Sequence, residues 1–106
     1  MIIERDVENT LVRSVRKTGG LCLKFVSPGW AGAPDRVCLW PGGRVAFVEL
    51  KRPGGKERPL QKKRLEQLRD LGFEAVILDT KEGVKELVLQ KVGDRVLQKS
   101  GGGGDA

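Results

Sequence analysis

The first hydrophobic pattern along the chain has the period of a helix. Val7, Leu11 and Val15 recur at intervals of four residues, which places them on one side of a helix over residues 4–18. The two glycines at positions 19–20 end that helix. The pattern therefore predicts an opening amphipathic helix whose apolar face is turned towards a core.

Three stretches of strand length follow, at residues 21–26, 36–40 and 44–51. Each is rich in the apolar and β-branched residues that are typical of strands. Residues 27–34 hold two prolines and two glycines, which predicts a loop before the second strand. Residues 41–43, Pro-Gly-Gly, are short enough to join the second and third strands as a hairpin.

Helical spacing returns after Pro59, a residue suited to the first position of a helix. Apolar residues follow at helical intervals up to Leu71, and Gly72 ends the segment. Residues 73–78 predict a fourth strand, and residues 81–90 predict a third helix. The residues of this helix that are expected to face inwards are Val84, Leu87 and Val88. The element order is thus αβββαβ plus a C-terminal helix, which belongs to the α/β class.

Size and composition favour a single globular domain. The chain has 106 residues, of which 39% are hydrophobic and 32% are charged. We predict one domain over residues 1–92, and a short extension with a flexible, glycine-rich tail over residues 93–106. No apolar run approaches the roughly 18 residues of a membrane span, and the first residues lack the layout of a signal peptide. These features predict a cytoplasmic protein without a membrane partner.

The residue types that are missing exclude several kinds of chemistry. The chain has no histidine and no tyrosine, which excludes Ser-His-Asp and Cys-His catalysis, histidine-ligated metals and a tyrosine nucleophile. Cys22 and Cys38 are too few for a disulfide scaffold. Since no secretory signal precedes them, we expect these two cysteines to be reduced and buried.

Positive charge is concentrated in one short stretch. The formal net charge of the chain is +6, and residues 51–64 contain seven Lys or Arg residues against one acidic residue, Glu57. This stretch therefore carries the whole excess of positive charge. A polyanion such as nucleic acid suits it better than a small anion does, although a solvated loop and helix face would show the same composition.

The hairpin also predicts where two carboxylates meet. A three-residue loop pairs Trp40 with Arg44, and the same register places Asp35 opposite Glu49 with their Cβ atoms about 5 Å apart. At that distance two carboxylates repel each other by roughly 3 kcal/mol, and a hard divalent cation would remove the conflict. A β-bulge would change the register. The ion would also be unnecessary if one of the two carboxylates turned to solvent or paired with Arg36 or Lys51.

Three further polar residues are expected near this point. Lys51 shares a strand face with Glu49, where its ammonium group could orient water or neutralise phosphate charge. Glu8 lies on the apolar side of the first helix and needs a partner there, whereas a helix-dipole role explains Glu4 well. Gln61 faces the sheet from the second helix and can reach the Lys51 end of the third strand. It could hold a water or a phosphate oxygen there, or be an early-turn polar residue only.

The residues around these positions resemble a known family. Gly-Ala-Pro-Asp-Arg at 32–36, Phe-Val-Glu-Leu-Lys-Arg-Pro at 47–53 and Leu-Gln at 60–61 resemble the PD-(D/E)XK nuclease superfamily, and within it the small stand-alone VRR-Nuc domain of phages and bacteria. The archaeal Holliday junction resolvases are similar. The resemblance covers residues 4–79 and implies a restriction-endonuclease-like core, which is a mixed four-stranded sheet flanked by helices.

The resemblance implies roles for the candidate residues. The catalytic residues would be Asp35, Glu49, Lys51 and Gln61. A Mg²⁺ or Mn²⁺ ion would be bound by Glu8, Asp35, Glu49 and the backbone carbonyl of Leu50. Phosphates that flank the cleaved bond would be bound by Arg52, Lys56, Arg58, Lys62, Lys63 and Arg64.

The function that follows is hydrolysis of phosphodiester bonds in DNA. Since no separate base-reading module appears, we expect a structure-specific endonuclease that acts on branched DNA, of the Holliday junction or flap type, in repair or recombination in a bacterial or phage-infected cell. A two-fold substrate suits a homodimer, and Trp30 would wedge against bases, form a dimer contact or pack its own loop. A sequence-specific restriction-type nuclease and a non-catalytic nucleic-acid-binding module are the alternatives.

Overall fold

The chain follows the predicted order of elements over the described residues. The computed structural model describes the backbone of residues 1–103 and the side chains of residues 1–93. Its helices are α1 (Glu4–Lys17), α2 (Pro59–Asp70) and α3 (Lys81–Gly103). Its strands are β1 (Leu21–Lys24), β2 (Arg36–Trp40), β3 (Arg44–Leu50) and β4 (Glu74–Leu78). None of the helices described here is both long and apolar enough to span a bilayer.

The last helix differs from its prediction in length. It was expected over residues 81–90, but α3 continues to Gly103. Residues 104–106, the end of the predicted tail, lie outside the described residues. The division into a domain over residues 1–92 and a flexible extension over residues 93–106 stays a prediction.

The four strands form one mixed sheet in the order β1-β2-β3-β4. The first three strands are antiparallel neighbours, and β4 pairs parallel to β3. A parallel neighbour requires a crossover connection, which is why α2 stands between β3 and β4 in the chain. The predicted α/β class and mixed four-stranded sheet are confirmed.

The hairpin of β2 and β3 has the predicted register. Trp40 pairs with Arg44, and the ladder continues back to Arg36. It ends one pair before Asp35 and Glu49, so these two acidic residues lie beyond the last ladder pair, at the open end of the hairpin. The short loop thereby decides which end of the sheet carries the acidic residues.

The main core lies on the side of the sheet that α1 and α3 cover. Alternate residues of β3, namely Ala46, Val48 and Leu50, point into it and are at most 2% exposed, as the two-residue period of a strand requires. The helical residues that were expected to face inwards are buried there too: Val7, Leu11, Val15, Val84, Leu87 and Val88.

The two cysteines lie within this core. Cys22 and Cys38 face each other across β1 and β2 as buried free thiols, with their Sγ atoms 3.8 Å apart. The hydrogen bond with Cys22, followed by burial, raises the pKa of Cys38 above its ordinary value. The prediction of buried thiols without a disulfide is confirmed.

The opposite side of the sheet is covered less completely. There α2 packs on β3 and β4 through Leu65 and Leu68 against Ala75. At the far edge of the sheet, Leu21 and Leu23 of β1 remain 58% and 43% exposed. This side therefore combines a small apolar cluster with open surface, and the candidate site lies beside that cluster.

Candidate active site

Asp35 lies in a bend directly before β2, which places it at the C-terminal end of β3. Its carboxylate Oδ2 accepts a hydrogen bond of 2.8 Å from the backbone N–H of Leu50, the last residue of β3. Its own carbonyl accepts a bond of 2.9 Å from the N–H of Phe25. The main chain and the side chain of Asp35 are thus both anchored, while the residue remains exposed to solvent.

Glu49 is a buried acidic residue at the same place, with 2% of its surface exposed. Its Oε2 lies 3.2 Å from Nζ of Lys51, whereas its Oε1 is buried and has no hydrogen-bond partner among the described residues. Burial and then the charge of Asp35 raise the pKa of Glu49, and Lys51 opposes that shift. A buried carboxylate with an unpaired oxygen is costly, and a cation would satisfy it.

Lys51 is held between Glu49 and α2. Its Nζ donates a hydrogen bond of 2.9 Å to Oε1 of Gln61. The same oxygen accepts the backbone N–H of Arg58 at 3.0 Å, which caps the first turn of α2. One amide oxygen therefore fixes both the lysine and the start of the helix, and the predicted placement of Gln61 beside Lys51 is confirmed.

Glu8 lies on the other side of the sheet. Its Oε2 is 3.0 Å from Nε and from Nη2 of Arg36, which shares the core-facing side with its ladder partner Val48. Glu4, one helical turn earlier, is among the charges that raise the pKa of Glu49. The structure thus brings together Asp35, Glu49, Lys51 and Gln61, and ties Glu8 to Arg36.

Among the described side chains, the candidate cation site has two carboxylates, those of Asp35 and Glu49. Within the side chains that the structure describes, no three acidic or thiol groups converge as a metal site. Asp35 and Glu49 supply carboxylate oxygens, one of them buried and unpartnered. Magnesium is commonly bound through one or two carboxylates, with water and substrate phosphate completing its octahedron. The residues present therefore fit Mg²⁺ or Mn²⁺.

The basic stretch of residues 51–64 includes Lys51 and Gln61 of this site, and most of it is open to solvent. Five of its predicted DNA-binding side chains are exposed, three in the loop after β3 and two on α2. They are Arg52, Lys56, Arg58, Lys62 and Lys63.

Arg64, the sixth predicted DNA-binding residue, is placed differently. It is half-buried, and its Nε donates a hydrogen bond of 2.8 Å to the carbonyl of Ala31. Its guanidinium carbon lies 4.9 Å from the ring centroid of Trp30. Of the three roles considered for Trp30, packing of its own loop is the one these contacts support.

Sequence reasoning did not identify the pairing of Glu8 with Arg36. A signal for it was present: strand alternation places Arg36 on the same face as the buried Cys38, and Glu8 is an acid on an apolar helix face. Opposite charges on two apolar faces that pack together are expected to pair. The contact of Arg64 with Ala31 had no such signal, because it joins a loop and a helix 33 residues apart.

Known proteins that are similar to this chain identify its family. The sequence profile of the VRR-NUC domain matches residues 5–82, which include every candidate catalytic residue. This chain belongs to the VRR-NUC family. Its resemblance to that family, inferred from short motifs, is thereby confirmed, and the chain carries a nuclease domain.

Two relatives of this VRR-NUC chain support the assignment. A protein of Acyrthosiphon pisum secondary endosymbiont phage 1, named "Putative nuclease p44", is 44% identical over 82 residues, which span 77% of this chain and 88% of that protein. A solved structure described as a VRR_NUC domain has a TM-score of 0.75 and 29% identity, covering 80% of this chain and 92% of that one. The fold of the chain is therefore that of a VRR-NUC domain.

Proposed function

We propose that this VRR-NUC protein is a metal-dependent endonuclease that hydrolyses phosphodiester bonds in branched DNA. The observation that carries the proposal lies at the end of β3. There the buried Glu49 carboxylate contacts Lys51 through Oε2, its Oε1 has no partner among the described residues, and the charge of Asp35 raises its pKa. Such an enzyme would serve DNA repair or recombination in the cytoplasm of a bacterial or phage-infected cell.

Each residue of the site has a role in this proposal. Asp35, Glu49 and the carbonyl of Leu50 would hold the ion, and the ammonium of Lys51, which contacts Glu49, would neutralise phosphate charge and orient the attacking water. Gln61 fixes that ammonium through a hydrogen bond of 2.9 Å. When bound, Mg²⁺ or Mn²⁺ supplies a Lewis acid that lowers the pKa of water and shields transition-state charge.

The exposed basic residues explain why the substrate would be a nucleic acid. The loop after β3 and the outer face of α2 present five exposed cations, as described above. Each phosphate that they neutralise releases counterions, so DNA affinity should fall steeply with salt. Contacts of this kind position the backbone without reading bases, which favours recognition of DNA shape.

A further metal ligand on α1 is proposed at Glu8, and it can be tested separately. Glu8→Gln should weaken Mn²⁺ binding, measured by isothermal titration calorimetry, if Glu8 leaves Arg36 to bind the ion. Glu4→Gln is the matched control, because Glu4 lies one turn earlier on α1. Weaker Mn²⁺ binding in Glu4→Gln together with unchanged binding in Glu8→Gln would assign the helix ligand to Glu4 instead.

We also propose that the protein acts as a homodimer, as a two-fold branched substrate would require. The support is the edge strand β1, whose outer apolar residues Leu21 and Leu23 are exposed together with Val26. Light scattering with size-exclusion chromatography should give twice the chain mass for the wild type. A Leu23→Lys variant should shift that mass towards the monomer.

The decisive experiment is a cleavage assay on a mixed set of linear duplexes, flaps and four-way junctions, with Mg²⁺ and with chelator. The proposal expects cuts near branch points in Mg²⁺ alone, and their loss in Lys51→Ala at undiminished DNA binding. Discrete cuts in linear duplex would identify a restriction-type nuclease. Binding without cutting in any metal would identify a non-catalytic module and overturn the proposal.

A further inference from the structure

The loop of residues 27–34, which we call the Asp35 loop, runs over α2 before it reaches the acidic residue. Gly32 has a φ of +81°, and a Cβ added there would lie 2.8 Å from Cγ of Leu60. The loop backbone therefore touches α2 so closely that only glycine fits. Pro34, the residue directly before Asp35, is fully buried.

Arg64 fastens the same loop to α2 from a second point. Its Nε bonds the carbonyl of Ala31, and its cationic carbon stacks over Trp30, whose ring also packs on the apolar cluster under α2. Its Nη1 donates a hydrogen bond of 2.9 Å to Oε1 of Gln67, the residue three positions along α2. These contacts hold the guanidinium group of the half-buried Arg64 against the loop and against Gln67 of the helix.

The loop leads directly into Asp35, which has anchors of its own. Phe25 bonds the carbonyl of Asp35, and Leu50 bonds its carboxylate. Between β1 and these anchors, the loop is supported by α2 through Arg64 and Leu60. We infer that Arg64 is a positioning residue for Asp35, acting through the Asp35 loop, and is not a contact to DNA phosphate.

This inference rests on the proposed function and extends it to the role of α2. Gln61 and Arg64 are three residues apart, and so lie on the same face of the helix. Gln61 holds Lys51, and Arg64 holds the loop that carries Asp35. One rigid helix therefore sets the separation between the lysine and the exposed carboxylate.

The experiment compares Arg64→Lys with Lys63→Ala, its exposed neighbour on the same helix. Lysine keeps the positive charge that a phosphate needs, but lacks the planar fork that binds Ala31 and stacks on Trp30. The first readout is the backbone amide of Leu50 in the ¹H–¹⁵N spectrum of the metal-free protein, because that N–H donates to Asp35. The others are Mn²⁺ affinity, kcat against KM, and the salt dependence of DNA binding.

For Arg64→Lys we expect the Leu50 amide to shift and to exchange faster. The Mn²⁺ dissociation constant should rise about tenfold, and kcat should fall about 10- to 100-fold at unchanged KM for DNA. The salt dependence of DNA binding should stay as in the wild type. For Lys63→Ala, the slope of log K for DNA binding against log salt concentration should be smaller in magnitude by about 0.9. The Leu50 amide should be unchanged in that variant.

A second variant, Trp30→Phe, distinguishes loss of the proposed contact from general misfolding of Arg64→Lys. Trp30→Phe keeps an aromatic face for the cation, and should move the Leu50 amide in the same direction but less. The effects of Trp30→Phe and Arg64→Lys on Mn²⁺ affinity should be non-additive, because they act on one contact.

The inference is overturned if Arg64→Lys leaves the Leu50 amide and Mn²⁺ affinity unchanged. It is also overturned if Arg64→Ala lowers the salt slope as Lys63→Ala does. Failure of the proposed function looks different: the wild type would then cut no DNA, while the effect of Arg64→Lys on the Leu50 amide would remain measurable.

Discussion

The two sides of the sheet bury their side chains in different ways. On the side of α1 and α3, Leu11, Val48 and Val84 are fully buried in a continuous apolar core. On the side of α2, a small apolar cluster adjoins polar contacts: Lys51 pairs with Glu49, and Arg64 bonds the loop that precedes Asp35. One layer is stabilised by apolar burial, and the other also uses directional hydrogen bonds.

This contrast shows how a short chain can stay folded with an energetically unfavourable buried carboxylate in its site. A buried apolar side chain contributes about 1.5–3 kcal/mol, whereas a typical hydrogen bond contributes about 0.5–1.5 kcal/mol net. Because the larger buried apolar cluster lies on the α1–α3 side, we expect that side to contribute more of the folding free energy, while Glu49 stays buried with an unpaired oxygen on the α2 side. Substitutions on the two sides should separate stability from activity.

The largest expected effect belongs to Asp35→Asn. The amide oxygen can still accept the N–H of Leu50, but the negative charge is lost, so cleavage in Mg²⁺ should fall about 10³-fold. Thermal stability should not fall, because removing this charge relieves repulsion with Glu49. Single-turnover cleavage and calorimetry measure the two effects. Asp79→Asn, whose carboxylate also accepts a backbone N–H, should cut at the wild-type rate.

Leu11→Ala should show the opposite behaviour. Leu11 is fully buried, so the cavity should cost about 2–5 kcal/mol in the free energy of unfolding, measured by urea denaturation. Cleavage per folded molecule at low temperature should stay near that of the wild type. If cleavage falls instead in proportion to the lost stability, the separation between the two sides of the sheet is wrong.

Gln61→Ala should affect both properties moderately. Removing the cap on Arg58 should cost about 1 kcal/mol, and freeing Lys51 should lower kcat about tenfold or more. Glu66→Ala, an exposed change on the same helix, is the control for helix stability. Equal cleavage rates in the two variants would remove Gln61 from the proposed mechanism.

The smallest expected effect is the change in stability of the metal-free Glu49→Gln variant. Burial raises the pKa of Glu49, so its charged form is disfavoured in the folded protein. The wild type is therefore relatively more stable below the ordinary glutamate pKa of about 4.3 and loses that advantage as pH rises through the raised value. The metal-free variant should exceed the wild type in melting temperature at mildly alkaline pH, and the difference should shrink in acid. A pH-independent difference would contradict this.

Much of the architecture could be predicted because it depends on short-range spacing. Helical and strand periods gave the element order, and a three-residue loop gave the pairing of Trp40 with Arg44. Strand alternation placed Glu49 on the side opposite Val48. The length of the last helix was underestimated: α3 continues to Gly103, and Val92, which lies beyond the predicted segment, also packs against the core.

The candidate site was predictable as a set of residues but not as a set of contacts. The meeting of Asp35, Glu49 and Lys51 follows from the hairpin and from strand alternation. The contacts of Glu8 and Arg64 do not, because each could face solvent or a partner on another element with the same local pattern. The predicted roles of Glu8 as a metal ligand and of Arg64 as a DNA contact came from charge, from position on a helix face and from the family resemblance, none of which shows which protein groups these side chains contact.

The sequence by itself determined the order of elements, the register of the hairpin and the chemical groups available to the site. Periodicity and loop length act over a few residues, so a linear pattern is enough to specify them. The tertiary structure decided that Glu8 pairs with Arg36, 28 residues away, and that Arg64 holds the loop at Ala31. Such contacts depend on how α1 and α2 dock on the sheet, and that docking is settled by apolar packing over the whole domain.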